Sequence, residues 1–285
     1  MSFMDIEPNV LKVASEMFNP FEPKGGTENV GPLLYRIARM SRPQTLLESG
    51  SGFTTLLLLA ACKQNWLDVL EESQLLRKKT LASMDPRYRS KDRHSTSAAA
   101  PAGDKWYESG GKACGVDPGF YLRPYKPHLY CFEKLPDTHE YPRRLLQAIE
   151  ELHLSDFFTY FPGKAFSTDS LPSESLPIDL AWNDDDQYVA FFKAIWPVLS
   201  PKGGMLVFHN TVAEESNWRA IDSIRSALDS TKDAEILTLS EPHKLNQSSC
   251  TIIRRTSDIV PAFMTRTRDR ILTDLVRFME EAPID

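Results

Sequence analysis

Short apolar runs alternate along this chain with longer stretches whose apolar residues recur at helical spacing. QTLLE (44–48), LYCFEK (129–134), FFTYFPG (157–163), IDLAWND (178–184) and MLVFHN (205–210) each predict a short strand, LYCFEK a buried one. The stretches after them, at 54–72, 141–154, 187–200 and 216–230, predict helices. In the second of these, Leu145, Ile149 and Leu152 share one face. Residues 3–18 predict an opening helix broken near Pro8. Residues 19–26 are Pro- and Gly-rich and predict a loop. Residues 27–40, with Leu33, Leu34, Ile37 and Met40, predict a second helix. EILTLS (235–240) and SCTIIRR (249–255) follow without a helix between them, so they predict an antiparallel hairpin. Residues 257–282 predict one or two closing helices.

Strand–helix alternation repeated four or five times implies an α/β chain. Its sheet is mostly parallel and doubly wound, with helices on both faces. Ligands of such sheets bind beyond the carboxyl ends of the strands, where the strand order reverses. The pattern fails once. Residues 84–128 are rich in Ser, Gly, Pro and charge and are too long for an ordinary connection. They predict an insertion between the first sheet helix and the second strand, within a single domain spanning 1–285.

Composition narrows the function classes. Of 285 residues, 41% are hydrophobic and 25% charged, which fits a globular chain. A formal net charge of −6 argues against a nucleic-acid partner, because phosphate binding needs a basic surplus. No run approaches the roughly 20 apolar residues of a membrane span. The start, MSFMDIEPNV, lacks the basic-then-apolar order of a signal peptide. Cys62, Cys114, Cys131 and Cys250 are scattered, with no CxxC pair, so neither a zinc knuckle nor a disulfide framework is suggested. A cytoplasmic setting is the expectation.

The sequence Leu46-Leu47-Glu48-Ser49-Gly50-Ser51-Gly52-Phe53-Thr54-Thr55 carries the first candidate chemistry. A strand enters, two glycines allow a tight turn and close approach of backbone to ligand, and a helix leaves. A dinucleotide fingerprint would want a third glycine where Thr55 stands and an acid roughly 20 residues on. The next strand ending in acid is LYCFE, and its Glu133 lies far beyond that spacing. The nicotinamide reading therefore fits poorly.

The pattern acid-x-Gly-x-Gly-x-x-Thr resembles the first motif of class I S-adenosylmethionine-dependent methyltransferases, specifically the small-molecule O-methyltransferase group. Glu133 matches the acid that ends their second strand. The resemblance implies a Rossmann-like, seven-stranded sheet with an antiparallel C-terminal hairpin. It also implies S-adenosyl-L-methionine as cofactor. Glu48, Ser49, Gly50, Gly52 and Thr54 would hold its methionine end, and Glu133 its ribose. A vicinal diol offers two donors, and a carboxylate accepts both.

The resemblance runs over about 27–255, apart from the insertion. Thr27, Glu28 and Asn29 match positions that touch the cofactor before the second helix. An ordinary helix cap explains Thr27 equally well. Gly163, Lys164, Ala165 and Phe166 match the turn that contacts adenine, although Phe166 suits a core too. IDLAWNDDDQYVAFFKAIWPVLSPKGGMLVFHNT is similar to the family's fourth-strand block. Asn183 falls at its cofactor edge. Asp184 sits where members place a catalytic or metal-binding aspartate, and His209-Asn210 where metal-dependent members carry Asp-Asn.

Hard Mg²⁺ prefers oxygen ligands, and His209 would replace one with nitrogen. The reading therefore assigns no metal and takes Asp184, His209 and Asn210 as catalytic. His209 is either a general base or a hydrogen-bonded strand-end cap. Trp182 and Tyr188 are substrate walls or core. Tyr121 and Arg123 of the insertion are candidate substrate contacts in a lid. Aromatic faces hold cations, and Arg can grip a carboxylate. The expected activity is methylation of an oxygen or nitrogen acceptor, in secondary metabolism, on a small-molecule substrate. A homodimer stays open. Two rivals remain. The first is a cyclase that turns the same cofactor into azetidine-2-carboxylate and methylthioadenosine. The second is a non-catalytic cofactor-binding protein.

Overall fold

The β1 strand, Thr45–Ser49, is buried along its whole length because it runs through the middle of the sheet. The computed structural model describes residues 6–21, 26–84, 116–244, 249–265 and 267–281. Seven strands stand in the order β3-β2-β1-β4-β5-β7-β6. They are β1, β2 (His128–Glu133), β3 (Phe158–Pro162), β4 (Leu180–Asn183), β5 (Met205–His209), β6 (Ala234–Leu239) and β7 (Cys250–Arg255). The first five are parallel. β7 runs antiparallel to both β5 and β6, as the missing helix before it predicted.

The helices are α1 (Pro8–Met17), α2 (Val30–Ser41), α3 (Phe53–Met84), α4 (Glu140–Glu151), α5 (Tyr188–Ile195), α6 (Glu215–Asp229), α7 (Ala262–Thr265) and α8 (Arg268–Glu281). Pro8 does not break α1. It opens it, at a position whose N–H needs no intrahelical partner. α3 runs well past the predicted end at residue 72. Its second half trades a continuous apolar face for sparse buried residues such as Val69, Leu76 and Thr80.

The sheet separates two apolar layers. Leu46, Leu129, Leu180, Trp182, Val207 and Cys250 pack on one face with α1, α2, α4 and the start of α3. Leu47, Phe132, Ala181, Leu206, Phe208 and Ile253 pack on the other with α5 and α6. The alternation along each strand sends neighbouring residues to opposite layers. Burial of these side chains, at roughly 25 cal/mol per Å² of apolar surface, is the main force holding helices to sheet.

The chain divides into two compact units, 1–65 with 126–259 and 66–125 with 260–285. The first holds the sheet. In the second, Val69, Leu76, Tyr121, Tyr125, Leu275 and Phe278 form a separate apolar cluster. Of the predicted insertion, residues 85–115 lie outside the described residues. Its end, Pro118–Leu122, is a short 3₁₀ helix begun by Asp117, whose carboxylate accepts from the Gly119 N–H. Among the described residues, no helix is long and apolar enough to cross a membrane.

Candidate functional site

Parallel strands end together, so one edge of the sheet gathers the carboxyl ends of β1, β2, β4 and β5. The turn after β1 is fixed from both sides. The Gly50 N–H donates to the Phe132 carbonyl of β2, and the Ser49 carbonyl accepts from the Asp184 N–H beyond β4, each at 2.9 Å. Gly50 has φ +89°, a conformation that side chains other than glycine's rarely adopt. A Cβ there would lie 3.2 Å from the Asp184 Cβ. At Gly52, with φ +154°, a Cβ would meet the Tyr141 hydroxyl at 2.2 Å. The turn therefore packs its backbone against Asp184 and Tyr141 where any other residue would place a side chain.

Glu48 sits beneath this turn, wholly buried, on the face of β1 that α3 covers. Its Oε1 accepts from the Thr54 hydroxyl at 2.8 Å, and its Oε2 has no hydrogen-bond partner among the described residues. Burial pushes its carboxyl up to about 8. The Thr55 and Thr54 hydroxyls oppose that rise, and the nearby Asp184 charge adds to it. The Gly52 N–H donates to the Thr55 hydroxyl at 2.8 Å, tying the turn to the first residues of α3.

Glu133, at the end of β2, leans toward the same turn. Its Oε2 accepts from the Ser51 hydroxyl at 2.6 Å and its Oε1 from the Leu135 N–H at 2.9 Å. Each carboxylate oxygen keeps a second lone pair, so the group can still receive a diol. Sequence reasoning passed over Ser51, although its place between the two glycines was a usable signal. Tyr160 escaped as well. Its hydroxyl is buried with no hydrogen-bond partner at bonding distance among the described residues, one strand away at the register position beside Cys131.

The ends of β4 and β5 bring Asp184 and His209 together. His209 Nδ1 and Asp184 Oδ1 are 2.5 Å apart. A carboxylate only accepts, so Nδ1 carries the proton and Nε2 of a neutral ring presents a lone pair. Nε2 is buried and has no hydrogen-bond partner among the described residues. Asn210 adopts φ +51°, and its carbonyl accepts from the Asn217 side-chain amide at 3.1 Å. The Tyr188 hydroxyl donates to the His209 carbonyl at 2.7 Å, and Tyr188 is otherwise packed in the α5 layer. Trp182 is fully buried against the His209 ring, with centroids 5.3 Å apart, and its indole N–H has no hydrogen-bond partner among the described residues. Asn183 is fully buried; its Oδ1 accepts from the Asp185 N–H, and its Nδ2 has no hydrogen-bond partner among the described residues. Lys134 pairs with Asp185 across the edge.

Of the other predicted positions, Lys164 reaches the end of β2 through its backbone, its N–H donating to the Glu133 carbonyl at 3.0 Å. The Glu28 carboxylate is held by Lys244, which Glu241 also grips at 3.0 Å. Lys164 and Ala165 are exposed, and the Lys164 ammonium stands 5.6 Å from the Phe161 ring centre. Phe166 packs edge-on to Phe132 and against Phe191. Tyr121 is buried in the cluster of the second unit, and its hydroxyl donates to Glu72 at 2.8 Å. Arg123 is exposed on that unit. Among the described residues, no three His, Cys, Asp or Glu side chains are grouped as a metal ion would require.

No protein-family model matches the chain, and no curated protein matches it in sequence. Solved structures do resemble it. One is the O-methyltransferase TomG of Streptomyces achromogenes, involved in tomaymycin synthesis and solved with S-adenosylmethionine. It is 13% identical over 88% of this chain and 91% of that one, with a TM-score of 0.54. A methyltransferase of Podospora anserina, solved with S-adenosylhomocysteine, is 14% identical over 88% and 89%, with a TM-score of 0.53. An O-methyltransferase of Bacillus cereus, also with S-adenosylhomocysteine, is 10% identical over 88% and 91%, with a TM-score of 0.51. At these identities the likeness is one of fold. The chain has the Rossmann-like fold of these methyltransferases, as the strand pattern and first motif implied.

Proposed function

We propose that the chain is an S-adenosylmethionine-dependent transferase that methylates an oxygen or nitrogen of a small molecule. The observation that carries this reading is the glycine turn closed onto Glu133 above a buried, half-partnered Glu48. The residues fit such a cofactor. The turn at Gly50, which lacks a side chain, would lie against its amino-acid end, and the free lone pairs of Glu133 would receive its ribose hydroxyls. Asn183 Nδ2 offers a further buried donor at the same edge. When bound, the sulfonium supplies an electrophilic methyl group. The protein's own task is then to hold the acceptor in line, exclude water and take a proton where the acceptor carries one.

The Asp184–His209 pair suits that last step. Asp184 fixes the ring so that Nε2 is the basic nitrogen. Its burial keeps solvent from competing for the proton. The fold likeness to the tomaymycin O-methyltransferase supports a secondary-metabolic acceptor. Calorimetry with S-adenosylmethionine and S-adenosylhomocysteine tests the core of the proposal. Binding of both, weakened about tenfold or more by Glu133→Ala, is expected. No heat with either ligand would overturn it.

A further inference from the structure

The carboxyl edge of a parallel sheet is ordinarily its open side. His209 ends β5 at that edge, yet it is almost wholly buried. Two segments meet there from opposite sides of the strand order. One is Glu28 and Asn29, just before α2. This anchor lies beside the start of α3, since a Cβ on Gly31 would stand 2.8 Å from the Phe53 ring. α3 leaves the glycine turn that follows β1, so the anchor belongs to the β1 side. The other is Glu241 to Lys244, after β6. Leu239 at the end of β6 pairs with Cys250 of β7, and Cys250 pairs in turn with His209. This anchor therefore leaves the β7 side level with His209.

Charged and polar side chains join the two anchors. The Lys244 ammonium pairs with the Glu28 carboxylate and with Glu241 Oε2, the latter at 3.0 Å. The Asn29 side-chain amide donates to Glu241 Oε1. A backbone bond from the Lys244 N–H to the Glu241 carbonyl, at 3.0 Å, makes the turn that carries both groups. The other oxygen of Glu28, Oε2, is buried with no hydrogen-bond partner among the described residues, so Lys244 supplies the compensating contact of that carboxylate. The Lys244, Glu28 and Glu241 side chains are 22%, 18% and 12% exposed. That is dry enough for the pairing to hold and wet enough for salt to loosen it. Between β1 and β7 the strand order holds only β4 and β5. A bridge between the anchors spans the ends of those two strands, where Asp184 and His209 meet.

We propose that Lys244, gripping Glu28 and Glu241, is the latch of a strap that closes over the Asp184–His209 pair and opens to let small molecules reach it. Resting on the proposed function, the open strap is the acceptor's way in, and the closed strap excludes water during transfer. Opening needs no change in the sheet. β5 stays held to β7 by its own ladder and by the Val212 N–H, which donates to the Ser249 hydroxyl at 2.8 Å.

Carbethoxylation by diethyl pyrocarbonate, followed by mass spectrometry, reads access to the His209 imidazole without any substrate. The lone pair of Nε2 is the atom the reagent attacks, since Nδ1 is bound to Asp184. His139 and His153 are exposed and serve as standards within the same chain. In the native chain His209 is expected to react at least about tenfold more slowly than either standard. Lys244→Met keeps a long stem and removes the charge. It is expected to speed labelling of His209 several-fold and to leave the standards unchanged. The double substitution Glu28→Lys, Lys244→Glu restores opposite charges across the contact and is expected to restore slow labelling. Unaltered labelling of His209 in Lys244→Met, or a double variant as fast as the single one, overturns the proposal. Should Lys244→Met fail to fold, the native chain in about 1 M KCl decides, where charges are screened beyond about 3 Å. Faster labelling of His209 with constant standards sustains the latch, and a rate indifferent to salt sinks it. None of these readings needs the cofactor. A chain that labels as expected but binds neither S-adenosylmethionine nor S-adenosylhomocysteine keeps the strap and loses the proposed function.

Discussion

His209 and Asp184 come from the ends of adjacent parallel strands, and their side chains meet through Nδ1 and Oδ1 at 2.5 Å. Asp184 is partly exposed while His209 is only 2% exposed. The aspartate is thus the solvent-side anchor of a buried imidazole. It fixes the tautomer and leaves Nε2 without a hydrogen-bond partner among the described residues.

Removing that anchor leaves a buried N–H without an acceptor. Asp184→Ala is expected to lower unfolding free energy by about 1–3 kcal/mol. Urea denaturation measures this. The ¹⁵N resonances of His209 should at the same time change from a fixed Nδ1–H tautomer to a mixture. Unchanged imidazole shifts would contradict the assignment.

Gly50 holds a left-handed conformation with Asp184 close by. Gly50→Ala meets both backbone strain and a crowded Cβ, at a cost of about 1–3 kcal/mol. The strain falls on the turn itself, so binding of S-adenosylhomocysteine should weaken more than overall stability does. A melting-temperature scan and calorimetry on the same variant separate the two effects.

The raised Glu48 carboxyl makes stability depend on pH in a defined direction. The folded chain holds this proton up to about pH 8, the unfolded chain only to about 4.5. Stability from this group is therefore complete below about pH 4.5 and lost as pH rises toward 8, by roughly 3–5 kcal/mol in all. Unfolding free energies of the native chain and Glu48→Gln, measured between pH 5 and 9, should converge at the acid end. The variant should be the more stable at pH 8–9, and parallel curves would refute the point.

Trp182 carries a buried indole N–H that nothing among the described residues accepts. Replacing the indole by a phenyl ring removes the donor and one of the two fused rings, and should cost little beyond lost packing. Trp182→Phe is expected to shift stability by less than about 2 kcal/mol. A larger loss, read by chemical denaturation, would mean the N–H is paired in solution.

Exchanging Ser51 for Ala removes the hydroxyl that donates to Glu133. One lone pair of Glu133 is freed, and the carboxylate loses a fixed orientation. Binding of S-adenosylmethionine is expected to weaken by about threefold to tenfold, less than in Glu133→Ala. Calorimetry on both variants gives the order, and a reversed order would detach Glu133 from the ribose.

How much was legible beforehand differs between elements. Strands β1 to β5 were read within a residue or two, since parallel strands here are short apolar runs, fully buried in β1 and β4 and half-buried at the edge in β3. The hairpin of β6 and β7 was read from the lack of an intervening helix. α3 was cut short, since beyond residue 72 its buried positions are too sparse to show a period. Within the site, Glu48, Gly50, Gly52 and Glu133 were visible because a turn and a strand end announce themselves in local residue types. The partnership of Ser51 with Glu133, and the hydroxyl of Tyr141 beside Gly52, were not. They join residues far apart in sequence, and no local pattern encodes such a distance.

By itself, then, the sequence determined the alternation of strand and helix, the glycine turn and the acid at the end of β2. Those features depend on side-chain period and backbone freedom, which act over a few neighbouring residues. Only the folded arrangement decided that His209 meets Asp184, that Glu28 is held by Lys244, and that Glu48 is sealed from water. Burial and pairing of that kind come from strand order and helix packing across the whole sheet, and these set the charge state of a carboxyl that the sequence alone shows only as an acid.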